Sequence, residues 1–345
     1  MQQIPFVDVR DGGPIAHAKA RAAAAAALRD ACLAPVPRWS HVCLAPIDRL
    51  ASAWLRKSAS HYLGDLESIA EILGFHGAVT LNMSYLFACT TSADSRGSDA
   101  PILRRSLDWP FRGLGKCVEI AWQSGPAGHF YNVTWPGAVG VLTAMAPGRF
   151  AAVINQAPML RRGRGPLTFP YDFALNLHNA LAQENGWPPD HLLRLAFETC
   201  ASFEEAIALL AREPLARPVL FTLTGTAPGE IALIERTERE ARVLRGPVVV
   251  ANDWQEPREG WRARMGYENN EARKSVLRLT PARAPSFQWV VPPVLNHTTR
   301  LVVEMSAAGA GELVARGYEC APWRNLPEPA TKDFRLADGG MAIAA

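Results

Sequence analysis

The stretch FACTTSADSRGSDAPILRRSLDWPF, residues 87–111, decides how this chain is interpreted. It places Cys89 in one strand-like segment, and Arg105 and Asp108 in the strand-like segment that follows. Because Cys89 follows the small residue Ala88, its thiol could attack the Ala88 carbonyl, form a thioester and let water cut the chain there. Cys89 would then be an N-terminus whose free α-amine, with an ordinary pKa of about 7.7–8.0, serves as the base.

The positions of the histidines are consistent with a nucleophile that carries its own base. None of the eight lies within ten residues of Cys89, and none shows the HExxH spacing of a zinc hydrolase. The alternative is that Cys89 is a buried structural thiol, since free cysteine is among the most buried residue types.

Composition excludes several classes of protein. The chain has 345 residues, 48% hydrophobic and 20% charged, which is typical of a globular enzyme. A net charge of +3 is too small to predict a nucleic-acid partner. Six cysteines without a CxxC pair predict neither a zinc site nor any other metal or cofactor. The chain has no apolar run long enough for a transmembrane segment and no secretory signal pattern, so we expect a cytoplasmic protein.

The order of predicted elements indicates the fold class. Helices are predicted over 16–31 and 47–73, where alanine content and apolar spacing favour them. Strands are then predicted at 87–93, 101–108, 116–123, 129–135, 139–145 and 149–155. Further helices are predicted at 171–184 and 188–200, with a third opened by a capping box from Ser202 to Glu205. Strands return at 219–225, 230–236, 247–252 and 300–306. This order predicts an α+β fold with helices packed outside two stacked antiparallel sheets.

Five blocks of sequence resemble the acid ceramidase and N-acylethanolamine acid amidase family. Residues 64–93 and 102–111 are similar to its processing junction, where Cys-Thr-Ser is followed by Arg-x-x-Asp. The other blocks, in the same order, are 135–156, 203–236, 248–254 and 294–319. This family belongs to the N-terminal-nucleophile hydrolases, which have an αββα core and are related to the choloylglycine hydrolases.

The resemblance implies cleavage before Cys89, separating a helical N-terminal segment (1–88) from a catalytic core (89–345). The released cysteine would hydrolyse a linear amide through an acyl-cysteine intermediate. By the same resemblance, Asp108 would hold the α-ammonium and Arg105 would orient Asp108 or the thiolate. The blander alternative for Arg105 and Asp108 is an ordinary ion pair.

Two later residues are carried over from the same family. Asn252 would donate a hydrogen bond in the oxyanion hole, and Arg273 would be the counterpart of a second family arginine. The alternative for Asn252 is an amide that caps a turn. Cys89-Thr90-Thr91 replaces Cys-Thr-Ser and Ala251-Asn252 replaces Thr-Asn, and neither change removes a proposed catalytic group.

Aromatic residues near the proposed site predict an apolar acyl pocket. Trp109, Phe111, Tyr131 and Trp135 could line it, although they are equally suited to a core, and Asn155 could add a polar contact. We therefore expect an N-acyl amine or N-acyl amino acid substrate with a fatty or aromatic acyl group. The animal family members are lysosomal and disulfide-bearing, whereas this chain shows no secretory signal pattern. An acidic compartment and a sphingolipid substrate are therefore not carried over.

Two other functions fit the same sequence. One is an acyltransferase, in which an amine instead of water takes the acyl group, as in the related penicillin acyltransferases. The other is a catalytically silent protein that binds a lipid or makes weak contact with a membrane surface. Segment 47–63, with Trp54 and Tyr62 beside basic residues, would then be an interfacial helix. The oligomeric state is not predicted.

Overall fold

The computed structural model describes residues 1–85, 87–95, 98–163, 168–263, 266–281, 284–336 and 342–344. Its helices are α1 (Gly13–Ala20), α2 (Ala22–Leu33), α3 (Leu44–Leu55), α4 (Leu63–Leu73), α5 (Ala78–Asn82), α6 (Thr168–Ala182), α7 (Pro189–Thr199), α8 (Phe203–Arg212) and α9 (Tyr267–Leu279), with a 3-10 helix over Arg38–Cys43.

Its strands are β1 (Phe6–Asp8), β2 (Ala88–Asp94), β3 (Ile102–Asp108), β4 (Glu119–Gly125), β5 (Gly128–Thr134), β6 (Thr143–Ala146), β7 (Phe150–Gln156), β8 (Met159–Leu160), β9 (Val219–Thr224), β10 (Ile231–Arg236), β11 (Ala241–Arg245), β12 (Val248–Val250), β13 (Trp261–Arg262), β14 (Thr299–Ser306), β15 (Glu312–Glu319), β16 (Glu328–Pro329), β17 (Phe334–Leu336) and β18 (Ala342–Ala344).

Most of these strands form two large sheets that pack face to face, and β8 pairs with β13 in a separate two-stranded sheet. The first sheet has the order β1-β4-β5-β6-β7-β9-β10-β11, and the second has the order β12-β2-β3-β14-β15-β17-β18, with β16 on β15. Pairing is antiparallel throughout both sheets except between β1 and β4. Strands β2 and β3 of the second sheet contact β7 and β9 of the first.

Helices cover the outer side of each sheet. Helices α7 and α8 pack on the first sheet, and α9 packs on β2 and β12 of the second. The predicted α+β class with an αββα arrangement is therefore confirmed. All seven residues of β2 and of β7 are buried, because each strand is covered by the other sheet on one face and by helix or loop on the other.

The predicted elements agree well with the structure in the central part of the chain. Strands β2, β3, β5 and β7 match their predictions to within two residues, and the hairpin of β9 and β10 is confirmed. The Ser202 half of the predicted capping box also forms, since the Ser202 Oγ accepts from the Glu205 N–H at 3.2 Å. The Glu205 carboxylate accepts from the Ala201 N–H, one residue before the cap, at 2.8 Å. Strand β6 begins at Thr143 and not at 139, and helix α9 was not predicted at all.

The N-terminal part differs from the predicted helical segment in two ways. The predicted helices are each broken, at Arg21 and over residues 56–62. More importantly, β1 is an edge strand of the first sheet, with Phe6 opposite Ile120 of β4. Such a short strand has no sequence signature of its own, because its hydrogen-bond partners lie more than a hundred residues away. Residues 1–85 thus share a sheet and a hydrophobic core with the rest of the chain.

A buried carboxylate also ties the N-terminal part to the core. Glu119 of β4 accepts hydrogen bonds from His17 Nε2 at 2.8 Å and forms an ion pair with Arg21 Nη2 at 2.7 Å. His17 and Glu119 are buried, so neither side chain can exchange this partner for water. The contact joins α1 to the first sheet.

We expect Glu119→Ala to lower the free energy of unfolding by about 1–3 kcal/mol, because it leaves the buried His17 ring without its acceptor. Urea denaturation measures the change. Glu67→Ala is the control, since Glu67 is exposed and pairs with an exposed Arg56, and it should cost about 1 kcal/mol or less. Equal losses in both variants would contradict the assigned role of Glu119.

Candidate active site

Cys89 lies near the start of β2, opposite Leu107 of β3, and its side chain is fully buried. Its thiol points into the space between the two sheets, where the Sγ lies 3.5 Å from the Ile154 carbonyl oxygen of β7. The thiol is therefore held in the middle of the sandwich.

Arg105 faces this thiol. Its Nη2 lies 3.1 Å from the Cys89 Sγ, while its Nη1 donates to the Leu142 carbonyl and the Thr143 hydroxyl of the first sheet. Burial raises the pKa of the Cys89 thiol, and the positive charge of Arg105 opposes that rise. In the continuous chain the thiol is consequently protonated near neutral pH and can donate to the Ile154 carbonyl.

Asp108 lies on the opposite face of β3 from Arg105, because residues three apart on a strand point to opposite sides. Its Oδ1 accepts from the Thr299 hydroxyl at 2.8 Å and its Oδ2 lies 3.3 Å from Arg273 Nη1. Burial raises the pKa of the Asp108 carboxyl, while Arg273 opposes the rise. Arg105 and Asp108 thus have different partners, and the alternative of a simple pair between them is wrong.

Arg273 joins the remaining polar groups. This side chain of α9 is fully buried, and its Nη1 lies 3.1 Å from both the Cys89 carbonyl oxygen and the Thr90 hydroxyl. Its Nη2 lies 3.2 Å from the Asn252 Oδ1 and also donates to the Asn270 Oδ1. One guanidinium therefore connects β2, β3, the segment after β12 and its own helix.

Asn252 contacts the backbone that the predicted cleavage would change. Its Oδ1 accepts from the Cys89 N–H at 3.0 Å, and its Nδ2 donates to the Gln156 carbonyl at 2.9 Å. Both neighbours of the Oδ1, Cys89 N–H and Arg273, are donors, which sets the orientation of the amide. The oxyanion role stays a prediction, and it requires the Nδ2 to exchange the Gln156 carbonyl for a substrate oxygen.

An apolar cavity of about 100 Å³ lies between the N-terminal helices and the core. Cys89, Arg105, Asp108, Asn252 and Arg273 are not among its lining residues, but Trp109, which follows Asp108, is. Trp109, Phe111 and Trp135 line it, and their role in an acyl pocket stays a prediction. Trp109 directly follows β3, and its ring packs edge-on against Phe87, two residues before Cys89. The cavity also includes Leu142, whose carbonyl accepts from Arg105.

The other two predicted pocket residues lie elsewhere. Tyr131 stacks on Trp122 with ring centroids 5.7 Å apart, and it is not part of the cavity wall. Asn155 donates to the Ala251 carbonyl at 3.0 Å and accepts from the Thr91 hydroxyl at 2.7 Å. It therefore connects the two sheets and positions the residue before Asn252.

Sequence reasoning missed α9 because the buried side of this helix is mostly polar. Asn270, Arg273, Lys274 and Leu277 are buried and follow the i, i+3, i+4, i+7 spacing of one helix face. A search for apolar periodicity does not find a pattern made of an amide and two cations. The same spacing applied to polar residues would have found it.

Trp54 and Tyr62, which would anchor the interfacial helix of the membrane alternative, are not free to contact a bilayer. Trp54 is buried and its Nε1 donates to the Ala180 carbonyl at 3.1 Å, while Tyr62 is buried and donates to Glu198 at 2.6 Å. Within the described ranges, no helix has the length and apolar character needed to cross a bilayer. The same residues include no group of three or more His, Cys, Asp or Glu side chains arranged to hold a metal ion.

Comparison with known proteins supports the resemblance. The chain is 27% identical over 207 residues to N-acylethanolamine-hydrolyzing acid amidase of Cavia porcellus, covering 58% of this chain and 54% of that one. It is 27% identical over 124 residues to acid ceramidase of Heterocephalus glaber, covering 36% and 29%. A solved Caenorhabditis elegans ortholog of the amidase aligns with a TM-score of 0.49 and 18% identity, over 64% of this chain and 92% of that one. No family model matches the chain.

These relatives confirm the predicted resemblance to the acid amidases and acid ceramidases. The chain spans about half the length of the amidases that it matches.

We expect Arg273→Lys to lower the free energy of unfolding by about 3–5 kcal/mol. A lysine has three donors on one nitrogen and cannot reach all the acceptors of the guanidinium fork, which include the Cys89 carbonyl, Asp108 and Asn252. Part of this buried network therefore loses its donor. Urea denaturation of the full chain measures the loss.

Arg278→Lys provides the matched control for this substitution. Arg278 lies on the same helix, is 47% exposed and pairs with Glu271. A change within about 0.5 kcal/mol is expected there. A loss at Arg273 no larger than the loss at Arg278 would show that the buried network does not depend on the guanidinium.

Proposed function

We propose that this protein is an N-terminal-cysteine amidohydrolase that cuts its own chain before Cys89 and then hydrolyses linear N-acyl amides. The observation that carries the proposal is that three groups of Cys89 each have a separate buried partner. Asn252 binds its N–H, Arg105 its thiol and Arg273 its carbonyl. A structural thiol needs none of these contacts.

The first step is an N-to-S acyl shift. The Cys89 sulfur attacks the Ala88 carbonyl carbon, the C–N bond between the two residues breaks, and the thiol proton passes to the departing nitrogen. Water then adds to the thioester, releases the Ala88 carboxylate and restores the thiol. Arg105 stabilises negative charge on sulfur during the attack. The Asn252 Oδ1, already 3.0 Å from the Cys89 nitrogen, holds the new amine in place. It takes the role that the resemblance implied for Asp108, whose carboxylate binds Thr299 and Arg273.

The second reaction repeats the same bond changes on an external amide. The α-amine takes the thiol proton, the sulfur attacks the amide carbon, and the amine product leaves with that proton. Water hydrolyses the thioester to a carboxylate. The apolar cavity beside Trp109 supports a fatty or aromatic acyl group, and the similarity to acid amidases and acid ceramidases supports an N-acyl amine or N-acyl amino acid.

We infer that this reaction takes place in the cytoplasm. The six cysteines, all within the described residues, are free thiols, and this agrees with a reducing compartment. The net charge of +3 is too small to favour a nucleic acid, so we infer that the partner is a small-molecule substrate.

We expect wild-type protein to separate into pieces of residues 1–88 and 89–345, and Cys89→Ala to remain one chain. Intact mass spectrometry measures this directly. The variant should also lose hydrolysis of dodecanoyl and phenylacetyl amides, with product carboxylate followed by chromatography.

Cys200→Ala is the control for loss of a buried thiol outside the site. It should be cut and active like the wild type. Hydrolysis that survives in Cys89→Ala would refute the proposed nucleophile, and a wild type that stays uncut would refute self-cleavage.

A further inference from the structure

Asp190 forms a polar part of the cavity wall, and Tyr85, from the segment before Cys89, lies against it. Tyr85 lines the cavity, and its hydroxyl donates to the Asp190 Oδ1 of α7. The guanidinium of Arg217 lies over the Tyr85 ring, 4.1 Å from its centroid. Tyr85 and Asp190 are buried. We call the space around the Tyr85 ring, bounded by Asp190 and Arg217, the tyrosine slot.

The backbone at Gly140 leaves room for the Asp190 carboxylate in the wall of the cavity. A Cβ on Gly140 would lie 1.9 Å from the Asp190 Oδ2, so only glycine fits there. The next residue, Val141, donates its N–H to the Asp190 carbonyl at 3.0 Å. Burial and the adjacent carboxylate raise the pKa of Tyr85 well above its ordinary range, so the phenol keeps the proton that it donates.

The segment before Cys89 is itself an acyl group in the proposed chemistry. During self-cleavage the Ala88 carbonyl forms the thioester, so the residues that precede it occupy the acyl side of the site. An external acyl group bound to the same sulfur would extend from it in the same direction. Because Tyr85 is three residues before Ala88, their Cα atoms are at most about 10 Å apart. An acyl chain of several carbons spans such a distance, so its end could reach the tyrosine slot.

We infer that the tyrosine slot is an acyl subsite, and that Asp190 selects substrates whose acyl group ends in a hydroxyl-bearing ring. Tyr85 fills the subsite in the uncut chain as a built-in mimic of that group. After cleavage the hydroxyaryl end of the substrate takes its place, donates to Asp190 and lies under Arg217. This inference rests on the proposed function for its role in turnover, but the slot itself can be tested without catalysis.

The binding test uses the double variant Cys89→Ala with Tyr85→Ala, which empties the slot and stays uncut. Calorimetry compares 4-methylphenol, the tyrosine side chain as a free molecule, with toluene, which lacks the hydroxyl. We expect 4-methylphenol to bind at least about ten-fold more tightly, and Asp190→Ala to remove the difference. Equal binding of the two probes, binding of neither, or a preference that survives Asp190→Ala would overturn the inference.

The kinetic test uses cleaved wild-type protein and pairs of glycine amides. Each pair has an ω-(4-hydroxyphenyl)alkanoyl and an ω-phenylalkanoyl group, with spacers of about two to ten carbons. At the best spacer we expect kcat/KM to favour the hydroxyl by roughly ten- to a hundred-fold. Asp190→Ala should reduce the ratio to about one. This test holds even if Tyr85→Ala fails to fold.

Glu198→Ala is the matched control. Glu198 also lies on α7 and accepts from a tyrosine hydroxyl, that of Tyr62 at 2.6 Å, but outside the cavity. The control should retain the hydroxyl preference. Absence of hydrolysis with slot binding intact would overturn the proposed function alone, whereas equal hydrolysis of both members of each pair would overturn the subsite alone.

Discussion

The site depends on one buried cation, Arg273, and on the requirement that a charge removed from water must find partners in the protein. The guanidinium meets that requirement by binding oxygens from the Cys89 and Thr90 region, from Asp108 and from Asn252. Any shift of one of these elements leaves a buried charge or carbonyl unpaired. The position of the Cys89 backbone is therefore coupled to the packing of α9 on the second sheet.

A second constraint comes from the alternation of side chains along β3. Because Arg105 and Asp108 point to opposite faces, one strand supplies a cation to the thiol between the sheets and a carboxylate to the network beneath α9. The two faces of the sheet therefore hold different parts of the site. Arg105 lies 3.1 Å from the sulfur, while Asp108 pairs with Arg273, which in turn lies 3.1 Å from the Cys89 carbonyl oxygen.

The N-terminal part has a structural role as well as the proposed role of a cleaved segment. Through β1 and the contact of His17 with Glu119 it completes the first sheet, and through α2, α4 and α5 it closes the apolar cavity. At about 100 Å³ this cavity is smaller than the roughly 300–1,000 Å³ of typical ligand pockets. Under the proposed self-cleavage, movement of the segment that contains Tyr85 would enlarge the cavity and admit a substrate.

The sequence by itself determined the parts of this protein that are local. Strands β2, β3 and β7, the capped start of α8 and the grouping of Cys89, Arg105 and Asp108 could all be predicted, because their signals lie within a few residues of one another. Only the tertiary structure decided which groups meet across long separations. Arg273 is 184 residues from the Cys89 carbonyl that it binds, and Tyr85 is 105 residues from Asp190. Such contacts leave no periodicity in the sequence, because they arise from the stacking of sheets and helices and not from the local conformation of the chain.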